Sequence, residues 1–479
     1  MTTLHIQRVL QERFDGLLRF ALRTQTRGTA TQPAGSIRSV VHLAWPIAAA
    51  LLGDALLGLV DAKLVGKLGP VAIGGVGIGL TLMYVSHAPV FGLLRAVKIR
   101  TAFATGEGRE AETYAYAVGG VLVGATAGFA VALAGRDVTA LLQALDLPPA
   151  LVRSGTTFVA AYSLGAPGLF VKSALIQHRQ GLGDTRTPML VGLGGNAVNA
   201  VLAYALIGGH LGLPALGLAG AGYATAVVHT LGAIVLALSL FARWAKAQRQ
   251  APKIRFARAL REVMELGTPV GLHFFAETLA LSSLAAILGR LGEVEIAAHQ
   301  IGLAIIRASF LPGAAVGEAA SILVSQSFGR RQPEMARRST TAALWIATVF
   351  MAGCGVVFAV FGRSIAGAFA DDPRVITTTA HLLMIGAVFQ VLDAINLVLR
   401  GALRGAADVR VVALLGTAIV WISVPSMGYL LGDRLGWGAA GGWVGFIIET
   451  TLATLVFGWR WRRLLMRATR SPGTEDGGL

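Results

Sequence analysis

Residues 43–69 read LAWPIAAALLGDALLGLVDAKLVGKLG, and residues 266–292 read LGTPVGLHFFAETLALSSLAAILGRLG. Each is a mostly apolar run long enough to cross a bilayer as a helix, which takes about 20 residues. The two runs also match each other. Pro46 pairs with Pro269, Asp54 with Glu277, and GKLG at 66–69 with GRLG at 289–292, an offset of 223. The chain therefore reads as two copies of one membrane unit.

The composition agrees. The chain has 479 residues, 54% hydrophobic and only 14% charged, against about 25% charged in a soluble domain. A soluble enzyme of this length is not so apolar, and a disordered chain is excluded. The net charge of +16 would suit a nucleic-acid binder only if the Lys and Arg lay on a soluble surface. One cysteine, Cys354, leaves no intramolecular disulfide and no cysteine-built metal site.

Long apolar runs occur at 40–62, 71–94, 114–135, 151–175, 187–209, 213–241, 264–288, 294–326, 340–362, 376–399, 409–432 and 436–459. They do not alternate as barrel strands do. The expected fold is an all-α polytopic membrane protein, with about twelve transmembrane helices in two pseudo-symmetric six-helix bundles. The divisions are a tail at 1–38, an N-lobe at 39–241, a basic linker at 242–263, a C-lobe at 264–465 and a tail at 466–479. Residues 1–38 lack the continuous apolar core of a signal peptide. Residues 4–23 fit an amphipathic surface helix as well as they fit a disordered tail.

Charge sets the expected orientation. Of the 41 basic residues, 31 fall on one set of alternate loops and tails and 7 on the other; Arg153, Lys172 and Arg307 fall inside spans. The positive-inside rule then places both termini in the cytoplasm, with the protein in the inner membrane. The repeat continues beyond the first span. GLGDTR (181–186) pairs with GAADVR (405–410), and LGLPALGLAG (211–220) with LGWGAAGGWV (435–444). Both halves start on the same side, so the repeats are parallel. Transporters built this way hold substrate between or within their halves.

A charge at the bilayer centre costs about 2.5–3.5 kcal/mol on insertion scales. The intramembrane candidates are Asp54, Asp61, Lys172, Glu277, Arg307, Glu318, Asp393 and Glu449. Asp54 and Asp61 are two turns apart and share a face. A carboxyl there can carry a proton; the plainer alternative is an ion pair with Lys172. Glu277 and Asp393 lie mid-span in helices seven and ten. If they converge, they form an acidic pocket for Na+, a proton or an organic cation. The plainer alternative is pairing with Arg307 of helix eight. Arg307 either neutralises such a carboxylate or offers donors to an anionic or zwitterionic substrate. Glu318 lies three turns further along the same face. Glu449 reads as a buried polar contact. His273 and His299 read as structural, and the histidines show no metal spacing. The G-x-G patterns have no βαβ context, and no Walker motif is visible, which disfavours ATP-driven transport.

VDAKLVGKLG (60–69) resembles the first-helix pattern of the multidrug and toxic compound extrusion (MATE) family. GLGDTRTPM (181–189), NAVLAYALI (199–207), GLAGAGYAT (217–225), AAHQIGL (297–303) and LRGALRGAADVR (399–410) are similar to further motifs, in the family's order. The resemblance covers roughly 39–465 and is to the NorM-like branch. It implies twelve helices in two lobes. It also implies export of mostly cationic, amphipathic compounds in exchange for Na+ or H+, with no cofactor and no enzymatic step. Asp61 matches the first-helix coupling acid, with Asn199 and Thr225 as polar residues of that site. The family's second N-lobe acid is Ala203 here, so that set is partial, with Asp54 on hand to compensate. Glu277 and Asp393 match the C-lobe acids and are the Na+ candidates. Phe389 stands where a Tyr is sometimes found. Asp54, Lys172, Arg307 and Phe389 are the substrate-binding candidates. Lys172, Arg307 and Glu318 lie outside the matched motifs. They keep open a flippase or exporter of a lipid-linked, zwitterionic or anionic metabolite. The implied partners are a small organic substrate and membrane lipid, with no nucleic acid and a monomeric state.

Overall fold

The computed structural model describes residues 35–247 and 256–470. The candidate surface helix at 4–23, most of the 1–38 tail, residues 248–255 of the linker and residues 471–479 lie outside them. The spans are α1 (Ile37–Gly66), α2 (Pro70–Gly106), α3 (Glu110–Ala134), α4 (Pro149–Ser163 and Ala166–Gly181), α5 (Arg186–Gly208) and α6 (Gly217–Ala247) in the first half. The second half holds α7 (Phe256–Leu291), α8 (Glu293–Gly329), α9 (Pro333–Gly367), α10 (Pro373–Gly405), α11 (Val409–Met427, continued by a π-turn at Gly428–Arg434) and α12 (Ala439–Arg470). Eleven are single helices long and apolar enough to cross a membrane. The twelfth, α4, is bent 49° at its break, just before Pro167, whose ring suits the first turn of a new helix. No strand occurs among the described residues.

The helices outrun the apolar runs that announce them. α2 continues to Gly106 and α10 to Gly405. Arg95, Lys98, Arg179, Arg400 and Arg404, which the loop count assigned to topology, are therefore inside helices. Lys98, Arg179, Arg400 and Arg404 are buried. A hydropathy window stops at the first charge, but a helix continues where that charge meets a protein partner. The linker is narrower than 242–263, because α6 and α7 run into it from both sides.

The repeat is visible in local geometry. Gly69 and Gly292 both precede a long helix with positive φ, at 96° and 139°. A Cβ is disfavoured in that region, which is why GKLG and GRLG recur at the same turn.

Each lobe has its own core. Met83, Phe158, Val159, Ala203 and Ala224 pack together in the first half; Leu284, Leu288, Ile306, Leu382 and Trp443 do so in the second. Between the lobes, Val40, Leu43 and Ile47 of α1 pack on Ala315, Ala319 and Ile322 of α8. The copy of that contact sets Val263, Leu266 and Val270 of α7 on Ala96, Val97 and Ile99 of α2. All of these residues lie near the end where α1 and α7 begin and α2 and α8 finish, here termed the basal end. Beyond it, Leu56, Leu59 and Val60 of α1 are exposed, and Ala280, Leu284 and Leu288 of α7 pack within their own lobe. The lobes converge at the basal end and part towards the other, distal end.

Small residues allow the closest approach. A Cβ on Gly106 would lie 2.3 Å from the Gln326 carbonyl oxygen, and one on Gly329 would lie 2.4 Å from that of Phe103. The two contacts are copies of each other across the pseudo-two-fold, as an isologous interface requires. Gly106→Val is expected to destabilise the closed basal seam by about 1–3 kcal/mol through overpacking, read as a lower melting temperature in detergent. Gly58→Ala, whose Cβ meets open space, should leave it unchanged.

Candidate functional site

In the N-lobe, α1 presents Asp54 and Asp61 to α5. Asn196 Nδ2 donates to Asp54 Oδ1 at 2.9 Å. Asn199 Nδ2 lies 3.2 and 3.3 Å from the two Asp61 carboxylate oxygens. The shared face read from the sequence is therefore met by two amides three residues apart, and Asn196 was not anticipated. Tyr162 of α4 lies within the field of both acids. The Thr225 hydroxyl of α6 donates to the Ala221 carbonyl of its own helix at 3.1 Å. Ala203 is core.

Lys172 does not pair with an acid of α1. Its ammonium lies 3.0 Å from His229 Nδ1 of α6, because the second part of α4 packs against that helix, and Asp54 only contributes to its field.

In the C-lobe, α7 reaches α10 through an ion pair whose cation differs from the expected one. Glu277 pairs with Arg400 of α10, Nη1 to Oε1 at 2.9 Å, and not with Arg307. Arg400 also reaches Glu449 of α12, Nη2 to Oε1 at 3.6 Å. Glu449 is thus part of an ion cluster rather than a lone polar contact. His273 Nε2 is 3.8 Å from Glu277, while its Nδ1 meets the Thr417 hydroxyl at 3.1 Å. His299 Nδ1 accepts from Trp443 Nε1 at 3.1 Å. Asp393 is 5% exposed, and its Oδ2 has no hydrogen-bond partner among the described residues. Its charged neighbours are Glu449, Arg400 and Glu277. Phe389 leans on Phe446, ring centroids 5.8 Å apart, at the edge of the C-lobe core. A Na+ held jointly by Glu277 and Asp393 does not fit this arrangement, because the Arg400 guanidinium already bridges Glu277 and Glu449.

The lobes meet through charge. Glu318 of α8 pairs with both Arg95 and Lys98 of α2. The Arg95 guanidinium lies over the Phe274 ring at 4.6 Å, and that of Arg404 lies over the same ring at 5.2 Å. Phe274 is thus flanked by cations from both lobes, a favourable use of the ring face. Arg95 and Glu318 are themselves 223 residues apart. Residues equivalent under a two-fold can touch only near its axis, so this pair marks the axis. Arg307 is one such residue further out. It is exposed and faces its own equivalent, Tyr84 of α2, which also has Glu277 and Thr278 within reach.

The MatE family profile matches residues 46–205 and again residues 269–429. This chain belongs to the MatE family. The two matches begin 223 residues apart (269 against 46), the offset of the repeat. The chain is 32% identical over 451 residues to "Probable multidrug resistance protein NorM" of Burkholderia mallei, covering 91% of this chain and 96% of that one. Its fold is similar to a solved outward-facing multidrug resistance MATE family transporter, with TM-score 0.82 and 19% identity over 93% of this chain and 100% of that one. It is equally similar to a Pyrococcus furiosus transporter of the same superfamily described as having reversed binding-pocket polarity. There the TM-score is 0.82 at 18% identity, covering 92% of this chain and 99% of that one. The MatE chain is an integral membrane transporter and not an enzyme.

Lys98 is the most deeply buried charge of the axial cluster, with 2% of its side chain exposed. Glu318→Gln removes the carboxylate that pairs with it and with Arg95. The loss expected for breaking a buried pair is about 3–5 kcal/mol, seen as a lower melting temperature. In a Cys354→Ser background, a cysteine placed at Thr105 should also become more reactive as the basal seam loosens.

Proposed function

We propose that this MatE chain is a secondary antiporter that exports organic, mostly cationic and amphipathic compounds, in exchange for Na+ or H+. Supporting this is one observation above the rest: each lobe carries carboxylates within its membrane-spanning helices, Asp61 in one and Glu277 and Asp393 in the other. Ion binding at these acids biases the equilibrium between cleft orientations, because it changes which arrangement is better solvated. A cationic substrate competes for the same field, and competition gives exchange. The names of the relatives as multidrug resistance proteins support the substrate class. In this reading the protein acts as a monomer in the inner membrane with both termini in the cytoplasm. It needs only lipid, substrate and a coupling ion, and it binds no nucleic acid. Asn199 orients the Asp61 carboxylate for the ion, Thr225 lines the same helix bundle, and Asp54 faces the substrate path.

A second reading has its own observation. Arg307 is exposed and faces the gap across from Tyr84, with donors to offer an acidic group. A zwitterionic or lipid-linked substrate would use it, with Lys172 and Phe389 as lesser contacts. Proteoliposomes given either a fluorescent cation or a fluorescent lipid-linked donor separate the two readings.

Asp61→Asn and Glu277→Gln are each expected to abolish export in a cellular dye-accumulation assay while the protein still elutes as a folded species. Export at the wild-type rate by either variant would remove that lobe's acid from the mechanism.

A further inference from the structure

We propose that Arg400 is a tethered cation occupying the place a sodium ion would need beside Glu277, so that the C-lobe couples export to protons through Asp393 and not to Na+. The inference rests on the antiport reading and specifies its ion.

The geometry carries it. The Arg400 guanidinium bridges Glu277 at 2.9 Å and Glu449 at 3.6 Å. Its side chain is 11% exposed, and a guanidinium stays charged in a protein. A small hard cation must be wrapped by several oxygens at short range. Here the oxygens of two of the three acids are turned to the guanidinium. Arg404 of α10 and Arg95 of α2 add positive charge around Glu277 and His273. A further mobile cation at Glu277 would have to displace the Arg400 guanidinium from its 2.9 Å contact with that carboxylate.

Asp393 stands apart from this pairing. Its charged neighbours are Glu277 from α7, Glu449 from α12 and Arg400 of its own helix. From α8 this part of α10 meets a neutral group, Ser309, to which Gln390 donates. Asp393 Oδ2 is buried without a hydrogen-bond partner among the described residues, as are the Asn396 side-chain atoms one turn on. Asp393 can therefore take up one proton and release it later without breaking an ion pair. The proton comes from water on one face of the membrane and returns to water on the other; no other bond changes.

The test uses the full chain in proteoliposomes, with ethidium as the transported cation. A pH jump should drive export by the wild type. A Na+ jump, balanced with K+, should leave the rate within twofold of that without a gradient. Arg400→Ser should acquire a Na+-driven rate at least tenfold above the wild type's, whereas Arg400→Lys, which keeps the charge, should not. Asp393→Asn should lose at least tenfold of the pH-driven rate. Na+-driven export by the wild type overturns the proposal while leaving antiport intact, and that arm decides even where Arg400→Ser fails to fold. A folded Arg400→Ser that ignores Na+ overturns it, as does an Asp393→Asn variant that keeps the wild-type rate. If neither gradient drives the wild type, the antiport reading itself fails.

Discussion

The rest of the structure depends on an ion pair between two residues that are copies of each other. Arg95 and Glu318 occupy equivalent positions in the repeat, 223 residues apart, and they touch. Two equivalent groups of the same sign would repel on that axis. Opposite signs convert the point of closest approach into an attraction, and Lys98 strengthens it from the same helix. In a low-dielectric setting such a contact is strong when made and costly when broken. It lies between the glycine seam of Gly106 and Gly329 at the basal end and the facing pair Tyr84 and Arg307 towards the cleft. These three axial positions are spaced at three helical turns along α2 and α8, so one line of residues joins the closed end to the open one.

The symmetry of the backbone is not matched by the chemistry of the lobes. Asp54 and Glu277 are equivalent positions, yet Asp54 is held by the Asn196 amide and Glu277 by the Arg400 guanidinium. The N-lobe acids are thus met by neutral amides. In the C-lobe, Glu277 and Glu449 are met by a permanent cation. Duplication supplied one scaffold, and divergence at a few side chains gave its halves different electrostatics.

Much of this was legible in the sequence. The twelve spans follow from apolar length, and the repeat follows from Pro46 and Pro269, Asp54 and Glu277, and the two Gly-Leu-Gly turns. The shared face of Asp54 and Asp61 follows from helical period, and α5 does meet both. Other readings failed for a common reason. Arg95, Lys98, Arg400 and Arg404 looked like loop charge because each lies just past an apolar run. Arg307 looked like the partner of Glu277 because it is an intramembrane cation near the right depth. Lys172 looked like the partner of an α1 acid and instead meets His229. Sequence gives the depth and face of a side chain, but not the neighbour that another helix brings to it.

What the sequence by itself determined, then, is the number of helices, their duplication and the identity of the few acids left in apolar surroundings. Hydrophobic length and helical period are local quantities, and the chain states them directly. The tertiary structure alone decided which cation answers which carboxylate. Glu277 and Arg400 are 123 residues apart in the chain and 2.9 Å apart in space. That proximity comes from the tertiary packing of the C-lobe, and a charge–charge contact depends on distance in space rather than on separation along the chain.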